Sequence, residues 1–431
     1  MRNKIFNKNI LPIILVIMVI LNYLPLIVLN CTIKSSKAAG ISTLVPAFGI
    51  GFVYLFFFYI KKVKITKPMV IEFVLLFLIT IMWSTVQIIN YKSGNYYLND
   101  IFNIFCKFVN VLFLFILIIN IEIEEKYLLF FMKGMIIFGL ISCIFNMIFY
   151  SQDILASLKI INIDGKIHTP KSFFAQKNQF AYVLFTCVVS CFILLTSNER
   201  MRNKVFYLIF ILLFLFNMIF TASRTGLAIT GIFMLLYLIF NNKMKISSKI
   251  IAIVIIGLVC AGLIYFLYMY NPELLLDRLL RAKSVSTLTG RTSIWDVALG
   301  VANESKATFV FGAGRFKGID ILQKAKKPFT QFHNTYLEFL VSGGIIELIY
   351  FLTIYAFVII KIIISKSLDK KYKILFLCLY LSYFIYMFSE SLGRFSIGGS
   401  DCLGLIFFVS IPLLFANISD KKVLDKGKEE E

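Results

Sequence analysis

The 431-residue chain is 59% apolar and only 16% charged, against roughly 25% charged in an ordinary soluble domain. That composition excludes a water-soluble globule and with it most soluble enzyme folds. A formal net charge of +21 would suit a nucleic-acid binder. The Lys and Arg residues fall instead in short clusters between apolar runs, as cytoplasmic loop charges do, so the basic balance reads as membrane topology, with no nucleic acid as partner. The eight cysteines lie mostly inside apolar stretches and form no CxxC pair, which argues against a disulfide framework or a zinc site.

A hydrocarbon core about 30 Å thick needs about 20 apolar residues in a helix. Taken in chain order, that ruler predicts twelve spans, at 10–29, 41–60, 69–89, 101–121, 128–150, 173–196, 205–221, 225–240, 250–270, 335–360, 374–390 and 400–417. The first is too long for a removable signal peptide and lacks a small-residue cleavage site, so it is expected to stay as a helix. The predicted fold class is an all-α polytopic integral membrane protein with twelve transmembrane helices and one large extracytoplasmic loop. With the N-terminus inside, the inner segments carry 23 Lys or Arg and the short outer loops eight, which places both termini in the cytoplasm. Residues 271–334, a 64-residue polar segment with ten Lys or Arg, break the alternation. Long loops are exempt from the charge rule, and the count puts this one outside. Four regions follow: 1–170 with spans one to five, 171–270 with spans six to nine, the loop 271–334 with short amphipathic helices, and 335–431 with the last three spans and a tail.

Chemistry-capable residues gather at the predicted outer face. Span six opens with KSFFAQKNQFAY, so Lys177 and Asn178 fall in its first helical turns, where burial is costly unless they face a polar cavity or snorkel to the interface. Arg224 is the only charged residue between Lys204 and Lys243, set in TASRTG near the midpoint of 38 otherwise uncharged residues. At 1.5 Å per residue that run is about 57 Å, enough for two spans joined by a tight outer turn at the arginine. An arginine so near the apolar zone either snorkels to water or binds an anion.

In LTGRTSIWDVALGVA, Ser293 and Asp296 have capping-box spacing, and Ile294, Val297, Ala298 and Val301 share one face. The pattern predicts a short amphipathic helix on the outer membrane surface, with Trp295 at headgroup level and Arg291 just before the positive helix end. An arginine beside a helix N-terminus suits an oxyanion ligand, simple contact with lipid phosphate being the alternative. The glycines of FGAGRFKG invite a nucleotide-binding reading, but no strand precedes them and the segment is predicted outside. They read as a turn that lets the backbone approach the site, with Arg315 an auxiliary cation. In QFHNTYLEFLVSGG, Thr335 and Glu338 again have capping-box spacing, which puts His333 and Asn334 at the mouth of span ten. The chain has two histidines, so a histidine general base is His333 or His168, and His168 reads as a surface residue in the loop before span six.

The segments FFAQKNQFA, TASRTGLA, GRTSIWDVAL, FGAGRFKG and FHNTYLEFLVSGGIIEL, in that order over about residues 170–360, resemble the O-antigen ligase and Wzy-type polysaccharide polymerase superfamily. The resemblance implies a GT-C-like membrane glycosyltransferase of the bacterial plasma membrane. Such a protein transfers a glycan from undecaprenyl diphosphate to an acceptor hydroxyl at the extracytoplasmic face, without metal, nucleotide or other cofactor. It further implies that Arg224 and Arg291 hold the diphosphate and that His333 is the base; Lys177, Asn178, Arg315 and Asn334, from their own positions, are the expected substrate-binding residues. The implied partners are the lipid-linked oligosaccharide, its glycan acceptor and membrane lipids, with a flippase and a chain-length regulator as companion proteins.

A polymerase joins the growing chain to the next lipid-linked repeat unit; a ligase joins the finished chain to lipid A core, a wall component or a protein. The Lys-, Asn-, Ile- and Phe-heavy composition hints at an AT-rich genome, and many such bacteria lack an outer membrane, which favours the polymerase. A lipid-linked-glycan transporter is the reading from another class. Such folds usually show internal repeats and polar interruptions near the bilayer midplane, whereas polarity here collects at one face.

Overall fold

A computed structural model of the chain describes residues 125–157, 169–241, 291–325, 331–392 and 403–416, apart from 175, 199 and 405, with isolated positions between 74 and 104 and between 245 and 269. The expected spans at 10–29, 41–60, 69–89, 101–121 and 250–270 lie wholly or almost wholly outside the described residues, as does His168. The described residues are helical, with no strand among them. In chain order they form α1 (Glu125–Phe149), α2 (Ser151–Ser157), α3 (Lys177–Thr196), α4 (Met201–Thr221), α5 (Arg224–Phe240), α6 (Arg291–Ala302), α7 (Lys306–Phe311), α8 (Arg315–Lys324), α9 (Thr335–Ile364), α10 (Lys370–Ser389) and α11 (Ile406–Ala416), the last opening with a π-helical turn. Five of these, α1, α3, α4, α9 and α10, are long and apolar enough to cross a membrane, and α5 and α11 are shorter apolar helices.

Helix α3 is apolar on every face and is buried almost continuously from Phe180 to Leu194. A helix of that kind belongs in the middle of a bundle, and α1, α4, α5 and α10 pack around it. Polar groups in such surroundings need internal partners. Ser142, Ser190 and Ser382 return their hydroxyls to the carbonyl four residues back, each at 2.8 Å. Asn146 Nδ2 donates to Asn217 Oδ1 at 3.1 Å, linking α1 to α4, while Asn146 Oδ1 accepts from the Ser172 amide at 2.9 Å. That second bond fixes the segment leading into α3, and so the place of Lys177 and Asn178. Where α5 meets α3, a Cβ on Gly226 would stand 2.7 Å from Ala181 Cβ, so the absence of a side chain sets how closely the start of α5 approaches α3.

The expected span 335–360 meets α9, which carries a break that its hydropathy does not show, at Gly343 (φ −138°, ψ 17°) and Gly344 (φ 69°, ψ −166°). The break admits the end of α7. A Cβ on Gly344 would lie 2.3 Å from Val310 O, and one on Gly312 would lie 2.5 Å from Gly343 N. Backbone therefore passes against backbone, and the turn of FGAGRFKG approaches α9 through glycine on both sides. The Ser342 hydroxyl donates to buried Glu347 at 2.7 Å across the interruption.

The described part of 271–334 holds the three short helices α6, α7 and α8. Ile294, Ala298 and Val301 of α6 form a second small core with Ala313, Leu322, Phe332 and Val341, and Val297 packs against it. The apolar face expected to lie on the membrane surface is thus covered by protein. Helix α6 has already begun at Arg291, so Ser293 sits inside its first turn and is not the cap that its spacing from Asp296 suggests.

Candidate functional site

Four helix ends meet at one place: α3 starts at Lys177, α5 at Arg224 and α9 at Thr335, while α10 ends at Ser389. The next residue, Glu390, is 3% exposed. Its Oε1 accepts from Arg291 Nη2 at 2.7 Å, from Asn178 Nδ2 at 2.8 Å and, more weakly, from Thr225 Oγ1 at 3.5 Å. Its Oε2 lies 3.2 Å from His333 Nδ1. Asn178 is held in turn by Ser223, whose hydroxyl donates to Asn178 Oδ1 at 3.1 Å. Three of the sequence-predicted residues, Arg291, Asn178 and His333, are thereby joined through one carboxylate that the sequence reading did not single out.

The backbone around Glu390 leaves it little freedom. Its amide donates to Tyr386 O at 3.0 Å and its carbonyl accepts from Thr335 Oγ1 at 2.8 Å. Leu392 N donates to that same threonine oxygen at 2.8 Å, and Ser391 Oγ donates to Glu338 Oε1 at 2.9 Å. The segment after α10 is therefore stitched to the first turn of α9. Expected as a cap, Thr335 instead serves as that stitch. Asn334 is the N-cap of α9, its side chain accepting from Leu337 N at 3.2 Å.

His333 adopts φ +52°, a left-handed conformation uncommon for a residue with a side chain. The preceding residue explains how it is held. The Phe332 ring is wholly buried in the second core, its amide donates to Glu338 Oε1 at 2.9 Å, and its carbonyl accepts from Trp295 Nε1 at 3.1 Å. Trp295, expected at headgroup level, thus latches α6 to the residue before the histidine. Backbone strain of this kind persists only where neighbours over-determine it.

The remaining candidates sit close by in the fold. Lys177 Nζ donates to Ala222 O at 3.2 Å, where the chain turns left-handed (φ +49°) between α4 and α5. Arg224, half-buried, is the first residue of α5, between Ser223 and Thr225, which both touch the Asn178 and Glu390 cluster. Arg315 Nε lies 3.8 Å from Glu338 Oε2, so it faces the neighbouring carboxylate and not Glu390. Among the described residues no three of the His, Cys, Asp and Glu side chains gather closely enough to hold a metal ion.

An all-helical bundle with five membrane-length apolar helices defines an integral membrane protein. A family model described as O-Antigen ligase matches residues 208–352, so this part of the chain is similar to that family and supports a resemblance to the O-antigen ligase and Wzy superfamily. The matched range contains Arg224, Arg291, Arg315, His333 and Asn334; Lys177, Asn178 and Glu390 lie on either side of it. No curated protein matches the chain.

Proposed function

We propose that the protein is a polysaccharide polymerase of the capsule or O-antigen type. It transfers a growing glycan from undecaprenyl diphosphate to a hydroxyl of the next lipid-linked repeat unit, at the extracytoplasmic face of a bacterial plasma membrane. In this reaction the bond between the glycan's anomeric carbon and the diphosphate oxygen breaks. A new bond forms to the acceptor oxygen, whose proton passes to His333, and undecaprenyl diphosphate departs. Arg224 and Arg291 hold the diphosphate and stabilise its departing charge; Lys177 and Asn178 line the donor. The diphosphate is already a good leaving group, so cations and a base suffice without a metal.

The observation that carries the reading is the meeting of Arg291, Asn178 and His333 at one buried carboxylate beside the starts of α3, α5 and α9. Helix N-termini present amide groups and positive partial charge, which favour an anion, and guanidinium groups pair with phosphate oxygens through two parallel bonds. Ligation of a finished chain to a final acceptor uses the same chemistry and is the second reading. The experiment is to replace the gene with its His333→Ala form and size the surface and carrier-linked glycan. The polymerase reading expects single repeat units and no long ladder. Long chains left on the carrier would favour the ligase, and unchanged polysaccharide would remove the protein from that pathway.

A further inference from the structure

We propose that Glu390 is the positioning residue of this site: its Oε2 holds His333 in the tautomer with the proton on Nδ1, so that Nε2 carries the lone pair that receives the acceptor's proton. Its Oε1 meanwhile sets Arg291 and Asn178 relative to that ring. The contact rests on geometry alone, and its consequence for rate rests on the transferase reading.

An ionised carboxylate only accepts hydrogen bonds, and every group around Glu390 Oε1 is a donor. Those donors come from residues 212, 165 and 99 positions away, and His333 is 57 positions away. No local sequence element would bring them together, so the carboxylate is where four separate segments are registered against one another. Among the described residues, two groups compete for His333 Nδ1. Glu390 Oε2, at 3.2 Å, requires the ring nitrogen to donate, whereas Gln331 Nε2, at 3.4 Å, requires it to accept. The carboxylate is closer and charged, and charge-assisted bonds outweigh neutral ones. It is also fixed through its own backbone at both peptide groups, while the side-chain amide of Gln331 can turn over to present its oxygen. Glu390 therefore sets the tautomer. In the opposite tautomer the proton sits on Nε2, and the ring has no lone pair to offer there.

The test uses the full-length protein with ¹⁵N-labelled histidine in a His168→Gln background, which leaves His333 as the one imidazole observed. Because deleting the Glu390 side chain would threaten the packing of four segments, the variants are Glu390→Gln, equal in shape, and Glu390→Asp, equal in charge. Nitrogen shifts of the parent protein are expected to report the Nδ1–H form, and those of Glu390→Gln a shift toward Nε2–H. With a lipid-linked donor, Glu390→Gln is expected to lower kcat at least about 100-fold, the scale set by general-base loss and wrong-tautomer variants. Adding His333→Ala to it should cost nothing further. Glu390→Asp should recover part of the rate. An Nε2–H signal in the parent, or a Glu390→Gln protein with undiminished kcat, overturns the inference. Nδ1–H in the parent that is lost in Glu390→Gln supports it even if neither protein transfers glycan; in that event the transferase reading alone falls.

Discussion

Removing Arg291 exposes how the site is balanced. The guanidinium, 18% exposed, lies 2.7 Å from a carboxylate that is 3% exposed. Truncating it to alanine strands that carboxylate with two neutral donors, Asn178 and Thr225, and with His333. Breaking a buried ion pair costs about 3–5 kcal/mol when the survivor keeps its charge unpaired. Here Arg291 is partly in contact with solvent and Glu390 retains other bonds, so the cost falls to or just below that range, about 2–3 kcal/mol. Substituting Glu390→Gln as well removes the stranded charge, and Arg291→Ala/Glu390→Gln should regain at least half of the loss. The assay is denaturant unfolding of the purified proteins in one detergent, followed by tryptophan emission, which includes the reporter Trp295 beside Phe332. If Arg291→Ala falls within about 0.5 kcal/mol of the parent, the range of an ordinary surface change, or if the double variant is less stable than the single, the charge balance described for Glu390 is wrong.

Arg224→Ala and Arg291→Ala should each abolish most transfer while the protein still accumulates in the membrane. Lysine at either position should restore only part of the rate, since it keeps the charge without the planar fork; full activity in both lysine variants would reduce the arginines to general positive potential. Gly344→Ala should destabilise by at least about 2 kcal/mol, because it adds a Cβ against backbone at a positive φ; an unchanged melting temperature would contradict the close crossing of α7 and α9. In a cysteine-free background, a cysteine at exposed Lys324 should react with an impermeant thiol reagent added to cells, and one at exposed Lys245 should not. Labelling at Lys245 would overturn the proposed orientation. A chelator should leave transfer unaffected, and inhibition reversed by Mg²⁺ would sink the metal-free mechanism.

Among the described residues, hydropathy located the apolar helices because lipid imposes a length on apolar runs. The expected spans 225–240 and 335–360 meet helices at Arg224–Phe240 and Thr335–Ile364. Glu390 escaped because the topology count weighs Lys and Arg alone, and because its partners are distant in sequence. An acid closing an apolar run, as in YFIYMFSESLG, was the available sign, since an ionisable group at a span's end needs a partner or a task. Cap spacing misled in a different way. Asn334 and Thr335 can both start a helix, and the choice was made by the segment after α10, which claims the threonine hydroxyl. The break at Gly343 and Gly344 was equally hidden, because adjacent glycines inside an apolar run read as small packing residues until Val310 and Gly312 are known to press against them.

The residues gathered around Glu390 are proposed to transfer a glycan from a lipid diphosphate. The most direct test is reconstitution: purified protein in detergent, a polyprenyl-diphosphate-linked repeat unit as both donor and acceptor, and separation of the products by size. A ladder of carrier-linked dimers and longer chains, with matching release of polyprenyl diphosphate, is expected in the parent protein and not in His333→Ala. An undiminished ladder in His333→Ala, or a folded parent protein that releases no polyprenyl diphosphate from this donor with any glycan acceptor supplied, would contradict the proposed transfer.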